Sequence, residues 1–335
     1  MKVLAATIAI VTLTAGGWTW YRNQPDPTWL CESDSAMPCA VDITLDVDAV
    51  SDRALVGDAR VIEVDVSAAS GPIAGTVRAD EHAALALFDA RTGEVTRTLL
   101  PLTKGWVSTP RFSPDGSLVA AVHQGWTAGT AGAVVEIFDT ATGESVAVHP
   151  FGEAGFDCAG RLGISPDNLE FQCQGTVRHL LTGDLIEHLT DEENRWAGSG
   201  FGRWAWAASG RTYDRDRGSD EILLLEQIDG ERQVVETLPA PDVEIALQAD
   251  SAFTDSGEPP RLALLGSREA GGWTERWRRA ERSFPLGSLG VANGAGDVAS
   301  AHLGFTPAEV GWTADDSLVW LLGTDARLVV VDPGR

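Results

Sequence analysis

Residues 112–122 read Phe112-Ser113-Pro114-Asp115-Gly116-Ser117-Leu118-Val119-Ala120-Ala121-Val122, a turn followed by an apolar run, and the fold is read from its repetition. Proline presets φ for the second position of a type I turn, Asp suits the third, and Gly accepts the exit. Ile164-Ser165-Pro166-Asp167-Asn168 repeats the turn with Asn in place of Gly, and Phe171 starts the next run. Ala208-Ser209-Gly210, Phe253-Thr254-Asp255-Ser256-Gly257 and Trp312-Thr313-Ala314-Asp315-Asp316 read as degraded copies.

A second turn alternates with the first. Phe88-Asp89-Ala90-Arg91-Thr92-Gly93-Glu94 returns as Phe138-Asp139-Thr140-Ala141-Thr142-Gly143-Glu144, with weaker copies at Leu181-Thr182-Gly183-Asp184 and Ile228-Asp229-Gly230-Glu231. Its glycine supplies the left-handed residue of a hairpin turn, where a side chain would clash. From Gly93 the spacings are 50, 40 and 47 residues, close to the period of a propeller blade. The strands between the signals, such as Ile222-Leu223-Leu224-Leu225, Val319-Trp320-Leu321-Leu322 and Leu328-Val329-Val330-Val331, are apolar throughout. A strand with one wet face alternates, so these runs ask for cover on both faces, which radially stacked sheets provide.

These features resemble the blades of WD-repeat-like and TolB-type β-propellers, which carry a Phe-Ser-Pro-Asp-Gly turn between their first two strands. The best matches are Phe112 to Gly116 and the Asp-x-x-Thr-Gly turns at Asp89 and Asp139. The resemblance spans residues 41–335 and is strong in two or three blades. It departs from true WD repeats: no Trp-Asp dipeptide ends the third strand and the Gly-His pair is missing. The expected fold class is all-β: a single β-propeller over residues 41–335. Turn positions near residues 93, 143, 183, 230, 281 and 334 give six blades, with seven as the alternative. The chain stops just after Leu328–Val331, so the segment Val41 to Val47 is expected to supply the last blade's outer strand and remove a free edge.

Charge and the N-terminus speak to partners and address. The 335 residues hold 25 Lys+Arg against 49 Asp+Glu, a formal net charge of −24. That balance excludes a nucleic-acid binder, which needs a basic face, and an apolar fraction of 44% excludes wholesale disorder. Lys2 and Lys104 are the only lysines, a preference that fits a GC-rich genome; the acidic excess also fits a salty habitat. Lys2 precedes nineteen uncharged residues, Val3 to Tyr21, closed by Trp18, Trp20, Tyr21 and Arg22. Residues 1–22 therefore read as a hydrophobic helix, either a signal peptide or a membrane anchor, with membrane contact expected if it is uncleaved. Residues 23–40, with Pro25, Pro27 and Pro38, read as a linker. The expected location is the cell envelope, membrane-anchored or secreted. Oxidising surroundings suit the four cysteines, for which the favoured pairings are Cys158 with Cys173 and Cys31 with Cys39; buried free thiols are the alternative.

Familiar catalytic signatures are missing: there is no H-E-x-x-H, P-loop, G-x-S-x-G or G-x-G-x-x-G. Six histidines are scattered along the chain and read as structural. Three stretches carry candidate chemistry. Asp214, Asp216 and Asp220 offer oxygen ligands to calcium, against a salt-bridged turn as the plainer reading. Arg203, Trp204 and Trp196 would hold an anionic ligand if Arg203 points into the central channel, whereas packing between blades is the plainer role for the tryptophans. Glu275-Arg276-Trp277-Arg278-Arg279-Ala280-Glu281-Arg282 is the one basic concentration, a dock for an acidic partner or a solvated strand face. No cofactor is expected beyond that calcium. The expected function is a binding module for a protein, an envelope glycan or a small ligand; the alternative is an extracytoplasmic glycan hydrolase or lyase with a funnel site.

Overall fold

The computed structural model describes residues 30–31, 37–50, 59–68, 70–124, 133–150, 162–165, 167–173, 176–188, 204–209, 221–228, 231–239, 251–254, 261–266, 287–292, 298–303, 305 and 307–334. Among them the chain is all-β, with one 3-10 turn at Val47–Ala49. After β1 (Cys39–Thr44), the strands fall into six antiparallel sheets. Sheet I holds β2 (Arg60–Val66), β3 (Ile73–Ala79), β4 (His82–Phe88) and β5 (Val95–Lys104). Sheet II holds β6 (Val107–Phe112), β7 (Leu118–Gln124), β8 (Ala133–Asp139) and β9 (Ser145–Pro150). Sheet III holds β10 (Gly163–Ile164), β11 (Glu170–Cys173), β12 (Thr176–His179) and β13 (Leu185–His188). Sheet IV shows three strands, β14 (Trp204–Ser209), β15 (Glu221–Ile228) and β16 (Glu231–Pro239). Sheet V holds β17 (Ser251–Phe253), β18 (Leu262–Gly266), β19 (Gly287–Ala292) and β20 (Val298–Leu303). Sheet VI takes β21 (Pro307–Trp312), β22 (Val319–Gly323) and β23 (Arg327–Val331), and its fourth strand is β1.

The first turn signal forms because a buried hydroxyl organises it. In sheet II the Ser113 amide donates to the Leu118 carbonyl (2.9 Å), and the Leu118 amide donates back to Ser113 Oγ (3.0 Å). Ser113 Oγ also donates to Asp115 Oδ1 at 2.6 Å, and Asp115 Oδ1 accepts the Ser117 amide. Ser165 with Asp167 and Thr313 with Asp315 reproduce the network in sheets III and VI. Thr254 keeps the hydroxyl half of it in sheet V, where it accepts the Arg261 amide. The exit residue is left-handed in every full copy, at Gly116, Asn168 and Asp316. Sheet I holds a copy the sequence reading missed: the Ser67 amide and hydroxyl both donate to the Pro72 carbonyl.

The apolar runs are covered on both faces, as their lack of alternation requires. Val319, Leu321, Val329 and Val331 pack toward sheet V with Ala263, Leu265, Leu289 and Val291. Their neighbours Trp320, Leu322, Leu328 and Val330 pack the other way, against Val64, Val66, Ile73 and Phe88 of sheet I. The same division joins sheet I to II and II to III. The first strands also lie side by side, β2 beside β6, β6 beside β10, and β21 beside both β17 and β2. This arrangement is propeller-like.

The expected strand at Val41 to Val47 is present with shifted bounds. It begins at Cys39 and stops at Thr44, because the Leu45 amide turns to the Ala326 carbonyl and Asp46 caps the 3-10 turn. β1 pairs antiparallel with β23, and Arg327 grips Asp42 with two hydrogen bonds of 2.8 Å. Within the stretch read as a linker, Leu30 and Met37 are buried in the cluster between sheets V and VI. Cys31 and Cys39 are disulfide-bonded, as expected. Cys173 ends β11 wholly buried and is not a free thiol; Cys158 lies outside the described residues, as does the segment 1–22. Among the described residues no helix is long and apolar enough to cross a membrane.

Candidate binding surface

Two regions combine unusual chemistry with a defined place in the sheets. The first lies where the inner strands meet the first-type turns. Asp65, near the end of β2, is buried and bridges to sheet II: its Oδ2 accepts the Phe112 amide at 2.7 Å, and Arg111 Nη1 lies 3.6 Å from its Oδ1. Burial pushes the Asp65 carboxyl up to about 6, against the lowering pull of Arg111 and the Phe112 amide. Neighbouring sheets are stapled at this end by other polar contacts. The Ala314 amide of sheet VI donates to the Val66 carbonyl of sheet I. Arg261 of sheet V stacks on Trp312, its guanidinium carbon 4.3 Å from the ring centre, and donates to the Asp316 carbonyl. Asn168 of sheet III donates to Asp115 Oδ2 of sheet II at 2.8 Å. Desolvation pushes Asp115 up, but the bonds from Ser113, Ser117 and Asn168 outweigh it and hold the carboxyl at about 2. Each of these groups, among the described residues, is engaged in joining sheets.

The second region is the outer edge of sheets II and III. Around the sheets, the second-type turns at Gly93, Gly143 and Gly183 each dock at the outer strand of the preceding sheet. The Asp46 amide, just past β1, donates to the Gly93 carbonyl. Arg97 of β5 donates to the Thr142 and Ala141 carbonyls. His149 of β9 donates from Nε2 to the Leu180 carbonyl at 2.7 Å and stacks on Phe171. In β9 this inverts the usual burial: Ala147 and His149 are each 8% exposed, while Val146 and Val148 are 41% and 51% exposed. Next to His149, across its bond to Leu180, stands Leu181, 61% exposed. Leu169 joins it through the Leu180 amide, which donates to the Leu169 carbonyl, and Leu185 and Ile186 follow in β13. Both stand exposed because the β12–β13 ladder slips at Val177/Arg178, so Leu185 and Ile186 do not alternate in and out. Of the large apolar residues exposed among those described, only Trp106 and Val234 lie elsewhere.

The residues predicted for ligand and metal are placed as follows. Trp204 begins β14. Arg203, Trp196, Asp214, Asp216 and Asp220 lie outside the described residues, as does the stretch 275–282. Among the described residues no group of three or more His, Cys, Asp or Glu is poised to hold a metal. The histidines His123 and His149 are engaged as the sequence suggested, His123 Nε2 meeting Glu136 Oε2 at 2.8 Å. The exposed aliphatic side chains of these outer strands were missed, and the Ser-Val-Ala-Val-His-Pro sequence of β9 was the one signal of them.

No family model matches the chain, and no curated protein matches it. Among solved structures it is similar to a chain in the crystal structure of a mitotic checkpoint complex, at 11% identity and a TM-score of 0.46, covering 92% of this chain and 97% of that one.

Proposed function

We propose that this chain is a protein-binding module: a six-bladed β-propeller, exported by its N-terminal segment and either released or held at the membrane by it. The six sheets among the described residues support the blade number; Lys2 and the nineteen uncharged residues after it support export. The observation that carries the binding function is the exposed aliphatic side chains on the outer strands, Val146 and Val148 on β9 and Leu185 and Ile186 on β13. Edge strands are ordinarily guarded by charge or proline, and outer strands that expose aliphatic side chains instead offer a place for a partner. An envelope glycan would ask for rings and polar side chains, whereas these outer strands expose Val, Leu and Ile. A funnel enzyme would need carboxylates free to reach a substrate, whereas Asp65 is held between Arg111 and the Phe112 amide.

The test is a photo-crosslinking amino acid at position 148, with the same group at Thr98 on the outer strand of sheet I as control. In producing cells, position 148 should give a discrete adduct that disappears when Val146→Ser is added, and position 98 should give none. No adduct at 148, or equal adducts at both positions, overturns the proposal.

A further inference from the structure

The stretch ahead of β1 is held by contacts of unequal kind. Met37 is wholly buried in the cluster between sheets V and VI, and next to it the Pro38 carbonyl accepts the Asp332 amide. Cys39 then enters β1 opposite Val331. Leu30 reaches the same cluster from further up the chain, and its neighbour Cys31 ties it to this anchored part through the disulfide with Cys39. Cys31 is exposed, while Cys39 is half-buried against the cluster. Cys31 also has φ +66°, a left-handed backbone that a residue with a side chain adopts at a cost. By contrast Cys173, which is also disulfide-bonded, is wholly buried. An exposed bond at a strained backbone position belongs with the labile disulfides, not with the inert structural ones.

We propose that the Cys31–Cys39 disulfide is a redox latch, which holds Leu30 in the seam between sheets V and VI and releases it to a dithiol reductant. One thiolate of the dithiol attacks the exposed Cys31 sulfur, and Cys39 leaves as a thiolate. The second thiol of the reductant then attacks the mixed disulfide. The dithiol ends as a disulfide, and its two protons end on the Cys31 and Cys39 thiols. Cys31 is now free to leave the left-handed conformation, and only the intervening chain joins Leu30 to Met37. β1 stays, because its ladder with β23, the Asp42–Arg327 pair and the bond to the Pro38 carbonyl do not pass through the disulfide. The chain then leaves the sheets at Met37 instead of Leu30, which gives whatever precedes it about 25 Å more reach at full extension. The latch does not depend on the protein-binding proposal.

Two measurements test the latch. In the first, the full chain is treated with dithiothreitol without denaturant, and the thiols that appear are alkylated and located by mass spectrometry. Cys31 and Cys39 should be labelled at least tenfold faster than Cys173. In the second, the double variant Cys31→Ser, Cys39→Ser is digested with thermolysin, a protease that cuts ahead of accessible leucines, with no reductant present. The cut ahead of Leu30 should come at least tenfold faster than in the parent, while residues 39–44 stay uncut. Labelling of Cys31 and Cys39 no faster than that of Cys173 means that the bond opens only with the whole fold, and it overturns the latch. So does unchanged cutting ahead of Leu30, which makes the bond an inert staple. Cutting within 39–44 overturns it too, by making the bond part of the closure of sheet VI. The labelling uses the unaltered chain, so it decides even where the variant does not fold.

Discussion

Asp65 gives the molecule an unusual pH response. Its folded pKa of about 6 lies above the ordinary 3.8, so the native state holds a proton that the unfolded chain releases. Its contribution is fully present below about pH 4 and is lost as pH rises through 6. Asp115 does the opposite: held at about 2, it adds stability above pH 4 that disappears as pH falls toward 2. Asp65→Asn keeps an acceptor for the Phe112 amide and removes the buried charge. It should raise stability at pH 7 by up to about 3 kcal/mol, and urea midpoints between pH 4 and 6 should lose the downward slope of the parent. A parent slope retained in the variant would remove Asp65 as its source. The residue itself was invisible in the sequence, since its partners stand 46 and 47 positions along the chain. Ser113 and Ser165 were legible because Pro, Asp and Gly or Asn surround them. Ser67 was not, because Val66-Ser67-Ala68-Ala69-Ser70-Gly71 keeps the hydroxyl and discards the rest of the signature.

At the scale of the element, the second-type turn answers to two demands through one residue. Gly93 has φ +73° and its missing Cβ leaves room for the Thr44 carbonyl; Gly143 and Gly183 make the same room for Arg97 and His149. Gly334 has φ +78° with open space around it. Gly334→Ala should therefore cost only the left-handed backbone penalty, about 1–2 kcal/mol at most. Gly93→Ala should cost clearly more and loosen β1, read as faster amide exchange at Asp46 and in Cys39–Thr44; equal costs would show that the approach of Thr44 is unimportant. The turns themselves were readable from Asp-x-x-Thr-Gly, but not what they rest on. The sequence of β9 misled for a related reason: hydropathy puts Val146 and Val148 inside, yet His149 finds Leu180 and Phe171 there. A satisfied imidazole with a ring to stack on displaces aliphatic side chains to the solvent face.

For the molecule as a whole, the apolar runs announced sheets with two covered faces, and β1 completes the sheet of β21–β23. What was not announced is how firmly the N-terminal stretch is clasped. Leu30 and Met37 are buried, the Cys31–Cys39 disulfide closes the loop between them and β1, and the Asp332 amide reaches back to the Pro38 carbonyl. Replacing both cysteines by serine should cost about 2.5 kcal/mol in the chain-entropy picture for so short a loop, seen as a lower denaturation midpoint. Removing residues 1–44 should be far worse: β23 becomes an edge, and the single cooperative melt is expected to broaden or split. An unaltered melt would mean that β1 is ornamental.

The pairing of Asp42 with Arg327 joins positions 285 residues apart. During synthesis β1 therefore emerges early and waits for its mate; at 5–20 residues per second the delay is roughly 15–60 s. Through that interval a nascent strand with open hydrogen-bonding edges must be shielded, by a chaperone or by slack in the chain, from annealing to whatever else is being made nearby.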